Sequence, residues 1–195
     1  FYLGAMILAL TGPVHSGKTS LLKRFVDDLK GHGVRVDGFL SLAVAKGGEI
    51  LGYDLFDLRS EKAIPFIRKK GQPKWQRIGA YFFIPEALEK AQQKVLETSE
   101  EDFLVIDEIG PLEVQGRGIW PALCSILTKP SVRCLVVVRD SLLPDVLHLI
   151  GSERAELIDI REKIDWQDLL RRIVDSAGPA SRIRRGRGCR TQGKE

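Results

Sequence analysis

The chain has 195 residues, of which 44% are hydrophobic and 29% are charged, and this length fits one domain with a substantial core. No run approaches the roughly 18 apolar residues that a membrane-spanning helix needs, and no targeting segment is recognisable at the start. We therefore expect a cytoplasmic protein without a membrane contact. The three cysteines lack the spacing of a metal or redox site.

The net charge of +4 is concentrated at the C-terminal end. From residue 177 onward six basic side chains stand against Glu195, so this tail carries +5 and the rest of the chain −1. Its composition predicts a mobile tail at 177–195 and a single domain at 6–176. Residues 1–5 precede the only methionine and are interpreted as an expression remnant. The tail is either a solubilising terminus or a contact for RNA or another anionic surface.

The first predicted elements surround a glycine-rich loop. Residues 6–10 predict a short buried strand, and apolar side chains at helical spacing predict a helix over 20–29. Between them residues 12–19, GPVHSGKT, match G-x-x-x-x-G-K-[ST], which is typical of a phosphate-binding loop. An ordinary glycine-rich turn is the alternative, but strand, loop and helix come in the order that phosphate binding requires.

Each fixed residue of this loop has a chemical task. The glycines bring backbone N–H groups against phosphate oxygens, and the N-terminus of the following helix favours an anion. Lys18 is expected to reach the β- and γ-phosphates, and Thr19 to offer its hydroxyl to Mg²⁺. The predicted nucleotide-binding residues are Gly12, Pro13, Val14, His15, Ser16, Gly17, Lys18, Thr19 and Ser20.

An antiparallel hairpin and a basic loop are predicted next. Apolar runs at 34–44 and 50–58 flank turn residues, which indicates the hairpin. Residues 59–77 are basic and interrupted by Pro65 and Pro73, which predicts an irregular loop before a short strand over 78–84. This loop is a candidate nucleic-acid contact in which Trp75 could stack on a base, and a solvated loop is the simpler interpretation. The basic residues that favour this contact are Arg68, Lys69, Lys70, Lys74 and Arg77.

Strands and helices alternate through the remaining chain. We predict helices over 85–96, 120–127, 142–150 and 165–174, the last capped by Asp165. Strands are predicted over 103–108, 134–138 and 157–160. This alternation predicts an α/β fold, in which a mostly parallel sheet carries helices on both faces beside the antiparallel hairpin.

Two carboxylates end the most apolar of these strands. Asp107 and Glu108 follow a continuous apolar run, and the carboxyl ends of parallel strands open onto the ligand crevice. Because side chains alternate along a strand, the two carboxylates are expected to point in different directions. Asp107 is then a candidate Mg²⁺ contact and Glu108 a candidate group for activating water. A solvated Asp-Glu turn is the alternative.

With these residues in view, the chain resembles the small P-loop nucleoside-triphosphatase family, which includes the cancer-related nucleoside-triphosphatase. The resemblance rests on the loop at 12–19 and on the segments VDGF at 36–39, GYD at 52–54 and IGAY at 78–81. Above all it rests on VIDEIGPLE at 105–113, which is more specific than the loop. It extends over roughly residues 7–174.

The resemblance implies a three-layer P-loop NTPase fold and Mg²⁺-dependent hydrolysis of ATP, GTP and other nucleoside triphosphates to the diphosphate, with some kinase-like members. By position it makes Lys18 and Glu108 catalytic, and Thr19 and Asp107 metal contacts. Two features depart from the family pattern. His15 stands where small residues are usual, and the strand after Val36 lacks a threonine after Gly-Phe.

Two further hypotheses compete with hydrolysis. One is a kinase that transfers the γ-phosphate to a nucleotide or a polynucleotide 5′-hydroxyl, which the basic loop favours. The other is a nucleotide-dependent switch or adaptor in which hydrolysis only resets the loop. Arg139 and Arg117 are candidates for an arginine that stabilises the transition state, and either is equally well explained as an ordinary surface ion-pair former.

Overall fold

Nine strands and six helices make up the part of the chain that the computed structural model describes, residues 4–13 and 16–177. The helices are α1 (Lys18–Gly31), α2 (Pro85–Leu96), α3 (Pro111–Val114), α4 (Trp120–Leu127), α5 (Leu143–Ile150) and α6 (Trp166–Ser176). The strands are β1 (Met6–Gly12), β2 (Val36–Lys46), β3 (Glu49–Asp57), β4 (Ala63–Arg68), β5 (Gln76–Ile78), β6 (Tyr81–Phe83), β7 (Phe103–Ile109), β8 (Arg133–Arg139) and β9 (Ala155–Asp159).

All nine strands form one sheet with two halves. Its strand order is β5-β6-β4-β3-β2-β7-β8-β1-β9. Strands β2, β7, β8, β1 and β9 pair in parallel, whereas β3, β4, β6 and β5 extend the sheet beyond β2 in antiparallel pairs. One strand, β8, separates β1 from β7, so the glycine-rich loop follows one strand and the two carboxylates lie on another that is not its neighbour.

Helices cover the parallel half of the sheet on both faces. Along β1, Ile7 and Ala9 join a hydrophobic cluster with α2, α4 and α5. The intervening Leu8 and Leu10 join a second cluster with α1 and α6. This strict alternation is the pattern of a strand that is buried on both faces, and it confirms the predicted three-layer α/β fold.

Helix ends follow the local sequence. The Asp165 side chain accepts hydrogen bonds from the backbone N–H groups of Gln167 and Asp168, which confirms the predicted cap of α6. Pro85 occupies the first turn of α2, where its missing N–H costs no helical hydrogen bond. Among the described helices, none is both long and apolar enough to cross a membrane.

The prediction of an irregular loop at 59–77 is wrong. Strand β4 forms within it, pairs with β3 and carries Pro65, at a point where the register shifts between Tyr53 and Asp54. Proline is tolerated at such irregularities because the missing N–H leaves no regular ladder bond unmade. The single strand predicted at 78–84 is likewise two short strands, β5 and β6, which form a hairpin. The antiparallel part of the sheet is therefore larger than one hairpin.

A buried ionic network joins the two halves of the sheet at the amino end of β2. Asp37 is 1% exposed, and its carboxylate lies 2.8 Å from Lys94 of α2 and 2.7 Å from Arg59. Lys94 also contacts Asp57 at the end of β3, and Arg59 contacts Asp102 before β7. The Asp37–Lys94 pair is largely buried, and removing one partner of such a pair typically costs about 3–5 kcal/mol. The network therefore fixes the antiparallel strands to the parallel core.

The predicted domain bounds, 6–176, stay a prediction. The predicted tail at 177–195 lies outside the described residues apart from Ala177, as do residues 1–3 of the interpreted remnant.

Candidate functional site

The glycine-rich loop connects β1 to α1 and depends on two special glycines. Gly12 has a φ of 151°, and a Cβ there would lie 2.4 Å from the Ile160 side chain. Gly17 has a φ of 83° and forms the N-cap of α1. Neither backbone conformation suits a residue with a side chain. Of the predicted loop residues, Val14 and His15 lie outside the described part of the chain.

The Lys18 side chain folds back over this loop. Its ammonium group is buried and donates hydrogen bonds to the carbonyl oxygens of Gly12 at 2.8 Å and Pro13 at 2.6 Å. The Ser16 hydroxyl also donates to the Pro13 carbonyl, at 2.6 Å. A charged donor at the N-terminus of a helix is thus held ready beside backbone N–H groups that have no partner within the helix. Ser20 is exposed on the first turn of α1.

Asp107 is the buried acid of the site. It is 2% exposed, and its Oδ2 accepts a hydrogen bond from the Ser41 backbone N–H at 3.3 Å. The Ser41 hydroxyl donates to the Asp107 backbone carbonyl. Burial raises the pKa of Asp107 to about 6, although a hydrogen bond with Thr19 opposes the shift. Lys18, Thr19 and Asp107, which the sequence placed on two separate segments, therefore meet at one place.

Replacing Asp107 by asparagine is expected to stabilise the metal-free protein above pH 6. The ordinary pKa of this carboxyl is 3.8 and burial raises it to about 6, so the folded state binds the proton more tightly. The Asp107 carboxyl contributes its full stability below pH 4, where it is protonated in the folded and the unfolded state. As the pH rises from 4 through 6, the free energy of unfolding falls by about 3 kcal/mol. Asparagine avoids this loss and still accepts the Ser41 N–H. Urea denaturation in EDTA at pH 8 and pH 5 measures the difference.

This stability difference should be large at pH 8 and about half as large at pH 5, because the carboxyl of the unfolded chain has already lost most of its proton at pH 5. Asp27 is an exposed acid on α1, and Asp27→Asn serves as the control that should change stability little at either pH. Equal stability of wild type and Asp107→Asn at pH 8 would contradict the assignment of Asp107 as a desolvated carboxylate.

Glu108 leaves β7 toward different neighbours. Its carboxylate accepts a hydrogen bond from Nε of Arg139, at the end of β8, and the Glu108 side chain is 28% exposed. Ser41 and Thr19, which contact Asp107, do not hydrogen-bond it among the described contacts. The expectation that the two carboxylates point in different directions therefore agrees with their partners. Arg139 lies beside the site, whereas Arg117 is exposed in the segment between α3 and α4.

The comparisons with known proteins point to one family. The sequence profile of a family described as NTPase matches residues 7–174. A nucleoside-triphosphatase THEP1 from Thermofilum pendens is 32% identical over 120 residues, which span 60% of this chain and 65% of that protein, less than two thirds of its length. Another, from Thermoplasma volcanium, is 31% identical over 166 residues, covering 82% of this chain and 92% of that protein.

A solved structure agrees with these sequence matches. The solution structure of a human cancer-related nucleoside triphosphatase superposes with a TM-score of 0.67 at 26% identity, covering 92% of this chain and all of that one. The chain belongs to the NTPase family. The family profile and the names of the relatives place it among the enzymes that hydrolyse nucleoside triphosphates.

Sequence reasoning missed two contributors to the site of this NTPase. Ser41 of β2 holds Asp107, although the departure of β2 from the family pattern drew attention only to a missing threonine. Glu113 of α3 is buried and accepts hydrogen bonds from the backbone N–H groups of Gly110 at 2.9 Å and Ile119 at 3.1 Å. The Gly-x-x-Glu spacing at 110–113 was the available signal, because a glutamate at the third helical position can accept a hydrogen bond from the backbone N–H at the N-cap.

The NTPase also offers a fitting place for Mg²⁺. Among the described residues there is no group of three or more His, Cys, Asp or Glu side chains that could hold a metal ion. Mg²⁺ in nucleotide enzymes typically takes only one or two protein ligands and otherwise binds phosphates and water. A buried carboxylate beside a hydroxyl, as in Asp107 and Thr19, suits that mode of binding.

Proposed function

We propose that this NTPase hydrolyses ATP, GTP and other nucleoside triphosphates to the diphosphate and phosphate, in a reaction that requires Mg²⁺. The observation that carries the proposal is the meeting of Lys18, Thr19 and Asp107 at the start of α1. A second carboxylate, Glu108, stands on the other side of the same strand end. The first group suits binding of the triphosphate, and the second suits the reaction with water.

The loop would bind the phosphates. Backbone N–H groups of 16–20 face a phosphate at the helix N-terminus, and Lys18 exchanges the Gly12 and Pro13 carbonyls for β- and γ-phosphate oxygens. Thr19 and Asp107 would hold the metal. Bound Mg²⁺ neutralises phosphate charge and polarises the γ-phosphoryl group.

Glu108 would act on the attacking water. It orients the water and accepts its proton, while the new oxygen–phosphorus bond forms in line with the bond to the leaving diphosphate. Arg139 donates to Glu108 and so holds the carboxylate in place before the nucleotide binds. Positioning and charge stabilisation supply most of the rate in such reactions.

The direct test is phosphate release from ATP and GTP by the purified protein, with Mg²⁺ and with EDTA. We expect release from both nucleotides at similar rates in Mg²⁺, because none of the contacts described at the loop distinguishes the bases, and we expect no release in EDTA. An absence of release from either nucleotide in Mg²⁺ would refute the proposal.

A nucleic-acid acceptor draws little support from the basic residues at 68–77. Arg68 contacts Asp54 at 2.5 Å, and Lys69 contacts Glu49 at 2.9 Å. Arg77 donates a hydrogen bond to the backbone carbonyl of Gly79. Three of the five basic side chains thus already have intramolecular partners. The nucleic-acid contact and the nucleotide-dependent switch remain predictions from the sequence.

A further inference from the structure

A cavity of about 300 Å³ lies on the Glu108 side of the site. This volume is at the lower end of the range for small-molecule sites. Glu108 and Arg139 line it together with Ser41, so it is continuous with the groups that surround the strand end. The contacts proposed for the triphosphate at the glycine-rich loop leave this space open.

The walls of the cavity are mainly apolar, and five of the lining residues are aromatic. They include Phe39, Phe66, Phe83, Tyr53 and Tyr81. Phe66 and Phe83 pack edge to face with ring centroids 5.4 Å apart, and Tyr53 and Tyr81 do so at 5.8 Å. Rings fixed in pairs form a preformed site, and they favour a flat aromatic ligand that can stack or pack against their edges.

The charges in the cavity favour an uncharged ligand. Its lining contains two acidic residues, Glu108 and Glu113, and one basic residue, Arg139. Arg139 is already paired with Glu108, and Glu113 is occupied by the backbone N–H groups of Gly110 and Ile119. A nucleotide monophosphate would bring a dianion into a lining of net negative charge, and such a like-charge contact is unfavourable.

We propose that this cavity binds a phosphoryl acceptor, namely an uncharged planar aromatic compound that carries an alcohol, with a nucleoside as the representative case. The inference rests on the proposed function, since the triphosphate must bind at the loop to serve as donor. It differs from the kinase expected from the sequence, because the acceptor carries no phosphate and does not use the basic residues at 68–77.

The transfer would use the groups already described. The acceptor hydroxyl takes the place of water, its oxygen forms a bond to the γ-phosphorus, and the bond from that phosphorus to the β-phosphate oxygen breaks. Glu108 accepts the hydroxyl proton, and the products are the nucleoside diphosphate and the phosphorylated alcohol. With the cavity empty, water reaches the same position and the reaction is hydrolysis.

The test follows the γ-phosphate of labelled ATP with each candidate acceptor. The probes are adenosine, guanosine, cytidine, uridine and, as an aromatic alcohol without a sugar, indole-3-ethanol. Labelled phosphate released without any probe reports on the proposed function, and label on a probe reports on this inference. Calorimetry with the same probes measures binding to the cavity independently of turnover.

A cavity-filling variant sharpens the test. Ala80 is exposed in the turn between β5 and β6 and lines the cavity, so Ala80→Trp places a large ring at its edge. Ala63 is an exposed alanine on β4 outside the lining, and Ala63→Trp is the matched control. We expect Ala80→Trp to lower the ratio of label on the probe to free phosphate at least ~10-fold, about 1.4 kcal/mol, and Ala63→Trp to leave that ratio unchanged.

The labelling results separate the acceptor site from the proposed hydrolysis. Label on a probe, reduced in Ala80→Trp alone, supports the acceptor site. Phosphate release with no probe bound and no label transferred overturns the acceptor site and keeps the hydrolase. Faster phosphate release with a probe, but no label on it, also overturns the acceptor role, because the ligand is then an effector. Absence of both products refutes hydrolysis and the acceptor site together.

Discussion

Replacing Lys18 by alanine is expected to abolish triphosphate hydrolysis, with a loss in kcat/KM of about 10³-fold or more. A preorganised charged donor that stabilises transferring phosphate is typically worth at least this much. The Lys18 ammonium is only 7% exposed and is already directed at the loop carbonyls, so little of its charge is screened by solvent. Initial rates of phosphate release at several ATP concentrations measure the effect.

A second lysine on the same helix provides the control for this loss. Lys23 is exposed on α1, and Lys23→Ala removes the same charge without touching the loop. We expect it to keep wild-type turnover, and both variants to unfold within a few degrees of wild type. Turnover in Lys18→Ala within threefold of the control would remove Lys18 from the phosphate site.

Replacing Glu108 by glutamine should lower kcat about 10²- to 10⁴-fold, the usual contribution of a general base, while nucleotide affinity stays near that of wild type. Glutamine keeps the shape of the side chain and an oxygen that accepts from Arg139 Nε, but it cannot take a proton. Single-turnover hydrolysis and equilibrium binding of a fluorescent ATP analogue separate the two quantities.

The control for this substitution is Glu89→Gln, which neutralises an exposed acid on α2. It should leave both turnover and affinity unchanged. If Glu108→Gln instead weakened binding in proportion to turnover, the carboxylate would serve ground-state binding rather than proton transfer. Unchanged turnover would assign water activation to another group.

The local parts of the site could be predicted from the sequence because their chemistry is local. In the loop, Gly17, Lys18 and Thr19 are consecutive, and their roles require only that a helix follows a strand. Asp107 and Glu108 end a seven-residue strand that is almost entirely buried, and an apolar run of that kind predicts its own position in the middle of a sheet. For the same reasons four of the five helices from residue 85 onward were predicted closely, and only the four-residue helix α3 was missed.

The antiparallel extension could not be predicted because its stability comes from distant residues. Strand β4 contains Pro65, which a strand tolerates only where its pairing with the neighbouring strand is irregular. It also contains Arg68, which forms an ion pair with Asp54 of β3. Local composition there indicated a solvated loop. The cavity was missed for the same reason, since its aromatic residues are distributed over β2, β3, β4 and β6 and only the sheet brings them together.

The division of the sheet into two halves has a consequence for how relatives of this enzyme diverge. The glycine-rich loop follows a parallel strand and Asp107 lies within another, whereas most aromatic residues of the cavity lie on antiparallel strands. The Asp37 network holds the halves together at the amino end of β2. Substitutions of aromatic side chains in the cavity can therefore leave the glycine-rich loop and Asp107 unchanged.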